Sequence, residues 1–301
     1  MEEITHIENK EQLNPHSIAI ATTTFYPGWY FGETKSLEDV DKIRGDLFIK
    51  LAKETQDKGF QLAVIDGGSS DAFTEEVKEM GVDITLQKEK GMSAGRREVF
   101  IKASKLDGVK VISWIEPEKV SIIRDSLPFA VLPILQGSVE IVVPKRSDES
   151  FATYPAYQVS YEKRANLLWN KILISRGLLP VNQELDVWFG PKFFANRPEV
   201  LALFLRKYEY RKSGSELDKK VEPEQWANSI FIPIVAALQK GMRVASVDVH
   251  YEHPEIQFLS EKDDEKFKEK RELQLRNIII STIHYIRLSE NNPKSKLREI
   301  E

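Results

Sequence analysis

Asp66 ends the apolar run Leu62-Ala63-Val64-Ile65 and opens a turn of small residues, Gly67-Gly68-Ser69-Ser70, which leads to a second carboxylate, Asp71. A parallel α/β sheet delivers a carboxylate to the carboxyl end of a strand in this way, and such sheets bind their ligands there. Glycine and serine keep the crest low enough for a ligand to approach the backbone, although the same pattern also serves as a plain connection. Glu116-Pro117-Glu118 follows a second apolar run, residues 109–115. Two carboxylates spaced like this at a strand end can converge on one cation if the chain turns, and Pro117 favours the turn. The alternative is an ordinary solvated pair. Arg96 and Arg97 stand near the start of a helical pattern that follows Lys90 and Gly91. Positive side chains at that end oppose the helix macrodipole, so they call for a compensating anion unless they are simply solvated.

These residues need a scaffold, and the pattern around them supplies one. Hydrophobic runs rich in β-branched residues predict strands over 17–24, 62–66, 82–86, 109–115, 139–143 and 244–249. Helices are expected over 47–57, 72–80, 93–106, 161–175, 198–208, 226–240 and 262–288, with Gly241 as a stop signal. Residues 206–221 read as an exposed charged loop. The early alternation of strand and helix with short connections predicts an α/β fold whose mostly parallel sheet is flanked by helices. Residues 1–16 form a lead-in, 17–255 the main domain and 256–301 a C-terminal helical extension. The extension carries an apolar stripe of Leu273, Ile278, Ile279, Ile283 and Ile286, which suits either this domain or a second copy in a homodimer.

Composition narrows the classes. The chain has 301 residues, 41% hydrophobic and 30% charged, enough for a sizeable core. A net charge of -4 gives no overall footprint for nucleic acid. The chain has no cysteine, which removes disulfides and thiolate metal sites. No apolar run is long enough to span a bilayer, and a cytoplasmic protein is expected.

The order and spacing of these pieces resemble the nucleotide-sugar-dependent glycosyltransferases of the GT-A (Rossmann-like) fold, family 2 and its retaining relatives. The first strand with its Thr/Tyr turn, containing Thr22, Thr24 and Tyr26, corresponds to the nucleotide-entry loop. Asp66 falls where the family reads the nucleoside. The segment Lys90-Gly91-Met92-Ser93-Ala94-Gly95-Arg96-Arg97 is similar to the family's glycine-rich helix start, which implies diphosphate contacts for Lys90, Arg96 and Arg97. Glu116 and Glu118 stand at the strand-terminal Asp-x-Asp metal motif, with Glu at both positions. His253 is implied as a third ligand to Mn2+ or Mg2+ and is otherwise a structural histidine. Tyr26 and Trp29 could stack on the base or lie partly buried against the sheet. The layout of Lys90-Gly91, Glu116-x-Glu118 and His253 is also similar to the glucosyl-3-phosphoglycerate synthase branch.

The resemblance implies a transferase that moves a sugar from a nucleotide-diphosphate donor to a hydroxyl acceptor with a divalent cation's help. Inverting members carry a Glu-Asp pair ahead of the last strand as catalytic base, and here the position reads Glu224-Gln225. Gln225 cannot accept a proton as that aspartate does, so Glu224 and Asp186 are the substitute candidates. A retaining course, which needs no such base, is favoured. Two other readings stand beside it. A degenerate GT-A protein would bind nucleotide or sugar, or dock a partner, without turnover. A nucleotidyltransferase would carry basic residues directly after the first strand, where this chain is Thr-rich and aromatic.

Overall fold

The computed structural model describes residues 13–207, 229–262 and 265–291. Seven strands form one sheet in the order β3-β2-β1-β4-β6-β5-β7. They are β1 Ile18–Thr24, β2 Gln61–Asp66, β3 Ile84–Leu86, β4 Val111–Trp114, β5 Ile141–Arg146, β6 Lys192–Ala195 and β7 Val244–Val249. All pairings are parallel except those of β6, which runs antiparallel to both β4 and β5. The chain builds outward from β1 through β2 to β3, then crosses back to place β4 on the other side of β1. That reversal opens a crevice beyond the carboxyl ends of β1 and β4, the usual ligand position in an open α/β sheet. Thr24 pairs with Asp66 and Ala21 with Trp114, so the ends of β1, β2 and β4 share one rim.

The helices are α1 Val40–Asp57, α2 Asp71–Glu79, α3 Met92–Ser104, α4 Val120–Asp125, α5 Leu127–Leu135, α6 Asp148–Ala152, α7 Ala156–Ser175, α8 Pro198–Leu205, α9 Ile232–Gln239, α10 Glu255–Glu261 and α11 Glu265–Asn291. Ser70 caps α2 by accepting from the Phe73 amide at 3.3 Å. The predicted elements all occur, with helix α1 longer at its start than its apolar spacing suggests. The sequence pattern missed β6, α4, α5, α6 and α10. β6 is only four residues between Gly190-Pro191 and Asn196-Arg197-Pro198, and it reads as a loop until its tertiary partners are known. Phe194 on it stacks against Phe204 with ring centroids 3.9 Å apart, and Phe100 meets both rings edge-on.

Most of the core lies around β1, β4, β5 and β6. A second cluster sits between α1, α2 and β2 and contains Tyr26, Trp29, Phe48 and Phe73. On α11, Leu275, Ile278 and Ile286 join the main core, and the Thr282 hydroxyl accepts from Trp169 Nε1 at 3.0 Å. Ile278 and Ile286 of the apolar stripe are therefore used within the chain, with Ile279 partly buried against the same core, whereas Leu273 is 40% exposed. Glu224, most of the loop over 206–221 and the expected helix start at 226–228 lie outside the described residues. No helix among the described residues is long and apolar enough to cross a membrane.

Candidate active site

Asp66 is 2% exposed and both of its oxygens are occupied. Oδ1 accepts from Thr24 Oγ1 at 2.7 Å and from Ser69 Oγ at 2.5 Å, while Oδ2 accepts from the amides of Gly68 and Ser69 at 3.0 and 2.9 Å. The carboxylate thus ties the crest together from beneath. This differs from the expectation that Asp66 and Thr24 present polar atoms to a nucleoside: the carboxylate is fully engaged by Thr24 and the turn, and Thr24, 3% exposed, gives its hydroxyl proton to Asp66. Thr22 is fully buried within β1.

The aromatic residues of the entry loop also differ from expectation. Tyr26 is 6% exposed and packs edge-on against Phe73 at 5.1 Å. Burial, followed by the charge of Glu118, raises its hydroxyl pKa far above the ordinary tyrosine value. Trp29 lies against helix α1 so closely that a Cβ on Gly45 would come within 2.3 Å of its ring. Its Nε1 donates to Asp46 at 3.0 Å, and the Lys42 ammonium sits 4.6 Å from its ring centroid. Neither ring is free to stack on a base. Phe25 is: it is 62% exposed, and a Cβ on Gly67 would meet its ring at 3.3 Å and Gln87 Oε1 at 3.4 Å. Strand alternation carried one residue past β1 groups Phe25 with half-buried Thr23 rather than with buried Thr24, the one sequence signal that favoured it.

On the α3 side, Lys90 is exposed whereas Arg96 and Arg97 are buried. Arg96 turns inward beneath the rim, its guanidinium 5.1 Å from the Trp114 ring centroid and Nη1 3.4 Å from Ser229 Oγ. Burial lowers its pKa to about 10, with Glu116 acting against the shift. The alternative of two solvated arginines does not hold, because both side chains are buried.

Beyond β4 the two glutamates face different surroundings. Glu116 packs against Gly190 so tightly that a Cβ there would lie 1.8 Å from Oε1. Burial and the neighbouring Glu118 raise its pKa, against the pull of Lys119, Arg96 and Lys192. Glu118 keeps 20% of its side chain exposed, and Lys119 pairs with it at 3.5 Å. Although burial acts the other way, Lys119 and Arg44 hold the Glu118 carboxyl below its ordinary pKa. The Lys119 ammonium also donates to Tyr251 Oη at 3.3 Å and lies 4.5 Å from that ring's centroid. His253 is stacked on Tyr154 at 4.5 Å, with Nδ1 3.2 Å from Tyr251 Oη and Nε2 3.8 Å from Glu261 Oε2. Burial, then Lys119, depresses its pKa to about 3, so the imidazole is neutral at physiological pH. Among the described residues no three His, Asp or Glu side chains are arranged to hold a metal ion. The expected convergence of Glu116, Glu118 and His253 on one point is absent, since Glu116 turns towards the loop before β6.

Asp186 is likewise removed from the role of base. Its oxygens accept from the Arg146 amide at 3.1 Å, from Arg146 Nε at 2.8 Å and Nη2 at 2.9 Å, and from Asn166 at 2.5 Å. Burial is outweighed by Arg146, which holds the Asp186 pKa below its usual value. Nearby, fully buried Lys192 inserts its ammonium among the carbonyls of Val187 and Pro191, both at 3.1 Å, and those of Gly190 and Phe189. Burial lowers its pKa to about 7. Lys192 therefore shapes the loop that presses Gly190 onto Glu116. Arg44 has no local sequence signal, because its partners Glu261 and Glu118 lie on other elements, and for Lys192 only the folding of its own loop shows the ring of carbonyls.

No protein-family model matches the chain, and no curated protein matches it in sequence. Solved structures do match. Glucosyl-3-phosphoglycerate synthase from Mycobacterium tuberculosis, in complex with Mn2+, UDP-glucose and phosphoglyceric acid, superposes with a TM-score of 0.53 at 11% identity, covering 90% of this chain and 80% of that one. The same synthase with Mn2+, UDP and glucosyl-3-phosphoglycerate gives 0.51 at 10% identity with the same coverage. Its complex with Mg2+ and UDP gives 0.51 at 10% identity over 90% and 79% of the two chains. The chain has the GT-A fold. In this GT-A fold the rim at the ends of β1, β2 and β4 carries Phe25 and the glycine crest on one side and Glu118, Lys119 and His253 on the other. Identity near a tenth carries the fold; the roles of individual residues rest on the geometry of this chain.

Proposed function

We propose that the protein is a glycosyltransferase that moves a sugar from a nucleotide-diphosphate donor to a hydroxyl acceptor. The observation that carries this reading is the pairing, on one rim of a GT-A fold, of an open aromatic platform with a cluster of buried charge. Phe25 over Gly67 offers a face on which a planar base stacks, and the low crest leaves room for it. The diphosphate then extends towards Glu118, where Lys119 and Arg44 supply positive charge.

A divalent cation fits this arrangement as a companion of the donor. Such ions are often held by one or two carboxylates plus substrate phosphates rather than by an all-protein cage, which agrees with the lack of a three-ligand cluster among the described residues. Glu118, ionised and partly open, and His253, neutral and with no hydrogen bond at Nε2, are the residues that would hold it. The ion supplies Lewis-acid neutralisation of the departing diphosphate. The synthases of the same fold are in complex with Mn2+ or Mg2+ and UDP, which supports the choice of ion and of nucleotide.

A retaining course suits the acceptor side. Asp186 is bound on both oxygens and is no ready base, and a front-face mechanism needs none. The reaction is placed in the cytoplasm as part of this reading. One observation favours the alternative of a binding module without turnover, namely the divergence of Glu116 and Glu118. A thermal-shift panel of nucleotide sugars with and without Mn2+, followed by a hydrolysis and transfer assay on the responding donor, separates the two. A cation-dependent rise in Tm with donor turnover supports the enzyme. A rise without turnover supports the module, and no rise with any donor removes both and leaves the partner-docking form of the degenerate protein.

A further inference from the structure

Behind the Glu118–His253 cluster, helices α1, α10 and α11 enclose a cavity of ≈ 210 Å3. That volume is below the size of a drug-like site and suits a small metabolite. Ile43 and Phe267 give it apolar walls, and Arg44, Gln257, Ser260, Glu261 and Lys270 supply its polar groups.

The charges in this cavity are unevenly matched. Glu261 is already engaged: its carboxylate accepts from Arg44 Nη2 at 3.4 Å and from Gln158 and Gln257 at 2.9 Å each. Lys270 has no ion-pair partner among the described residues. Arg44 and Lys270 face the single carboxylate of Glu261, so the lining carries a net positive charge; partial desolvation, then the like charges of Arg44 and Arg271, lowers the Lys270 pKa, with Glu261 acting the other way. Gln257 is 4% exposed and donates through Nε2, while its Oε1 is buried with no hydrogen-bond partner. A buried acceptor left in this state costs stability until a donor arrives. An anionic group beside Lys270 and Arg44, with a hydroxyl reaching Gln257 Oε1, would satisfy both demands at once. Arg44 also faces Glu118, and His253 faces Glu261 at 3.8 Å, so the cavity adjoins the place assigned to the donor diphosphate.

We propose that this cavity binds a small hydroxylated oxyanion, a carboxylate or a phosphate, gripped by Lys270 and Arg44 and oriented by Gln257. Its assignment as the acceptor's anionic end rests on the glycosyltransferase reading, whereas its existence as an anion site does not. Calorimetric titration of the full chain with lactate and with inorganic phosphate, using glycerol as the neutral control, tests it. Both anions are expected to bind and glycerol to be silent. Lys270→Met, at the exposed rim where folding is not at stake, should weaken both anions about tenfold. Lys53→Met, an exposed cation elsewhere on α1, should leave them unchanged. Equal binding in Lys270→Met and wild type, or equal loss in Lys53→Met, overturns the proposal. With a responding nucleotide sugar present, glycosylated lactate identifies the site as the acceptor's, while a shift in donor affinity without product identifies a free anion acting on the same site. Anion binding without any response to nucleotide sugars would sink the transferase reading and leave this one standing.

Discussion

Asp66, at the end of β2, is buried and Glu116, just past the end of β4, is half-buried on the same rim, and the two carboxylates are satisfied in different ways. Asp66 takes its donors from its own turn and from Thr24 on the adjacent strand, each at ordinary hydrogen-bond distance. Glu116 has a buried Oε2 with no hydrogen-bond partner and is offset by the charges of Lys119, three residues on, and of Arg96 and Lys192 from other elements. A carboxylate held by local amides makes a rigid crest. One held by distant charges makes a site whose protonation and shape depend on everything packed around it.

The most severe way to break the Glu116 side is Gly190→Ala. The new methyl would overlap a carboxylate oxygen at 1.8 Å, so the loop or Glu116 must move. A stability loss of about 3 kcal/mol in urea titration and loss of transfer activity are expected; unchanged activity would show that the contact does not shape the site. On the other side, Asp66→Asn keeps the shape and can leave its carbonyl on the two amides, but it removes the charge and sets an NH2 against the Thr24 and Ser69 hydroxyls that donate to Asp66, and about 2 kcal/mol should be lost. Nucleotide affinity in that variant should fall only as far as the crest distorts, which calorimetry at a temperature well below the variant's Tm would measure.

Acid separates the two regions further. The His253 pKa is about 3 in the folded protein against an ordinary histidine value of 6.5, so the unfolded chain binds more protons between these values. The contribution of neutral His253 is therefore fully present above pH 6.5 and is lost as the pH falls towards 3. In His253→Gln the difference in stability between pH 7 and pH 4 should shrink, and an unchanged difference would mean that the ring is protonated in the folded state. The smallest effect on stability is expected at Phe25. Because it is exposed, Phe25→Ala should change stability by no more than about 0.5 kcal/mol, while nucleotide binding weakens about tenfold if the ring stacks on the base. Equal binding by this variant would move the base elsewhere on the rim.

Much of the fold is legible in the chain because strands and helices write their period locally. The runs ending at Asp66 and Glu116 mark β2 and β4 correctly, and Gly241 marks the end of α9 within two residues of Gln239. β6 escapes because four residues flanked by prolines carry too little pattern. Of the candidate site, the strand ends that carry its carboxylates are legible, but which aromatic side chain stays exposed beside them is not. Tyr26 and Trp29 are as aromatic as Phe25, and only packing against Phe73 and Gly45 shows that they belong to a core.

By itself, then, the order of residues determined the parallel α/β framework, the serine-capped crest and the two carboxylate-bearing strand ends, since each depends on neighbours in the chain or on an adjacent strand. Tertiary structure alone decided that Glu116 turns to Gly190 while Glu118 turns to Lys119, that Asp186 is locked by Arg146, that Lys192 fills a ring of carbonyls, and that Arg44 and Lys270 share a cavity. Those outcomes depend on burial and on Coulomb interactions, between elements apart in sequence for Glu116, Asp186, Arg44 and Lys270 and on how a short loop closes upon itself for Glu118 and Lys192, and neither burial nor distance is encoded in residue spacing.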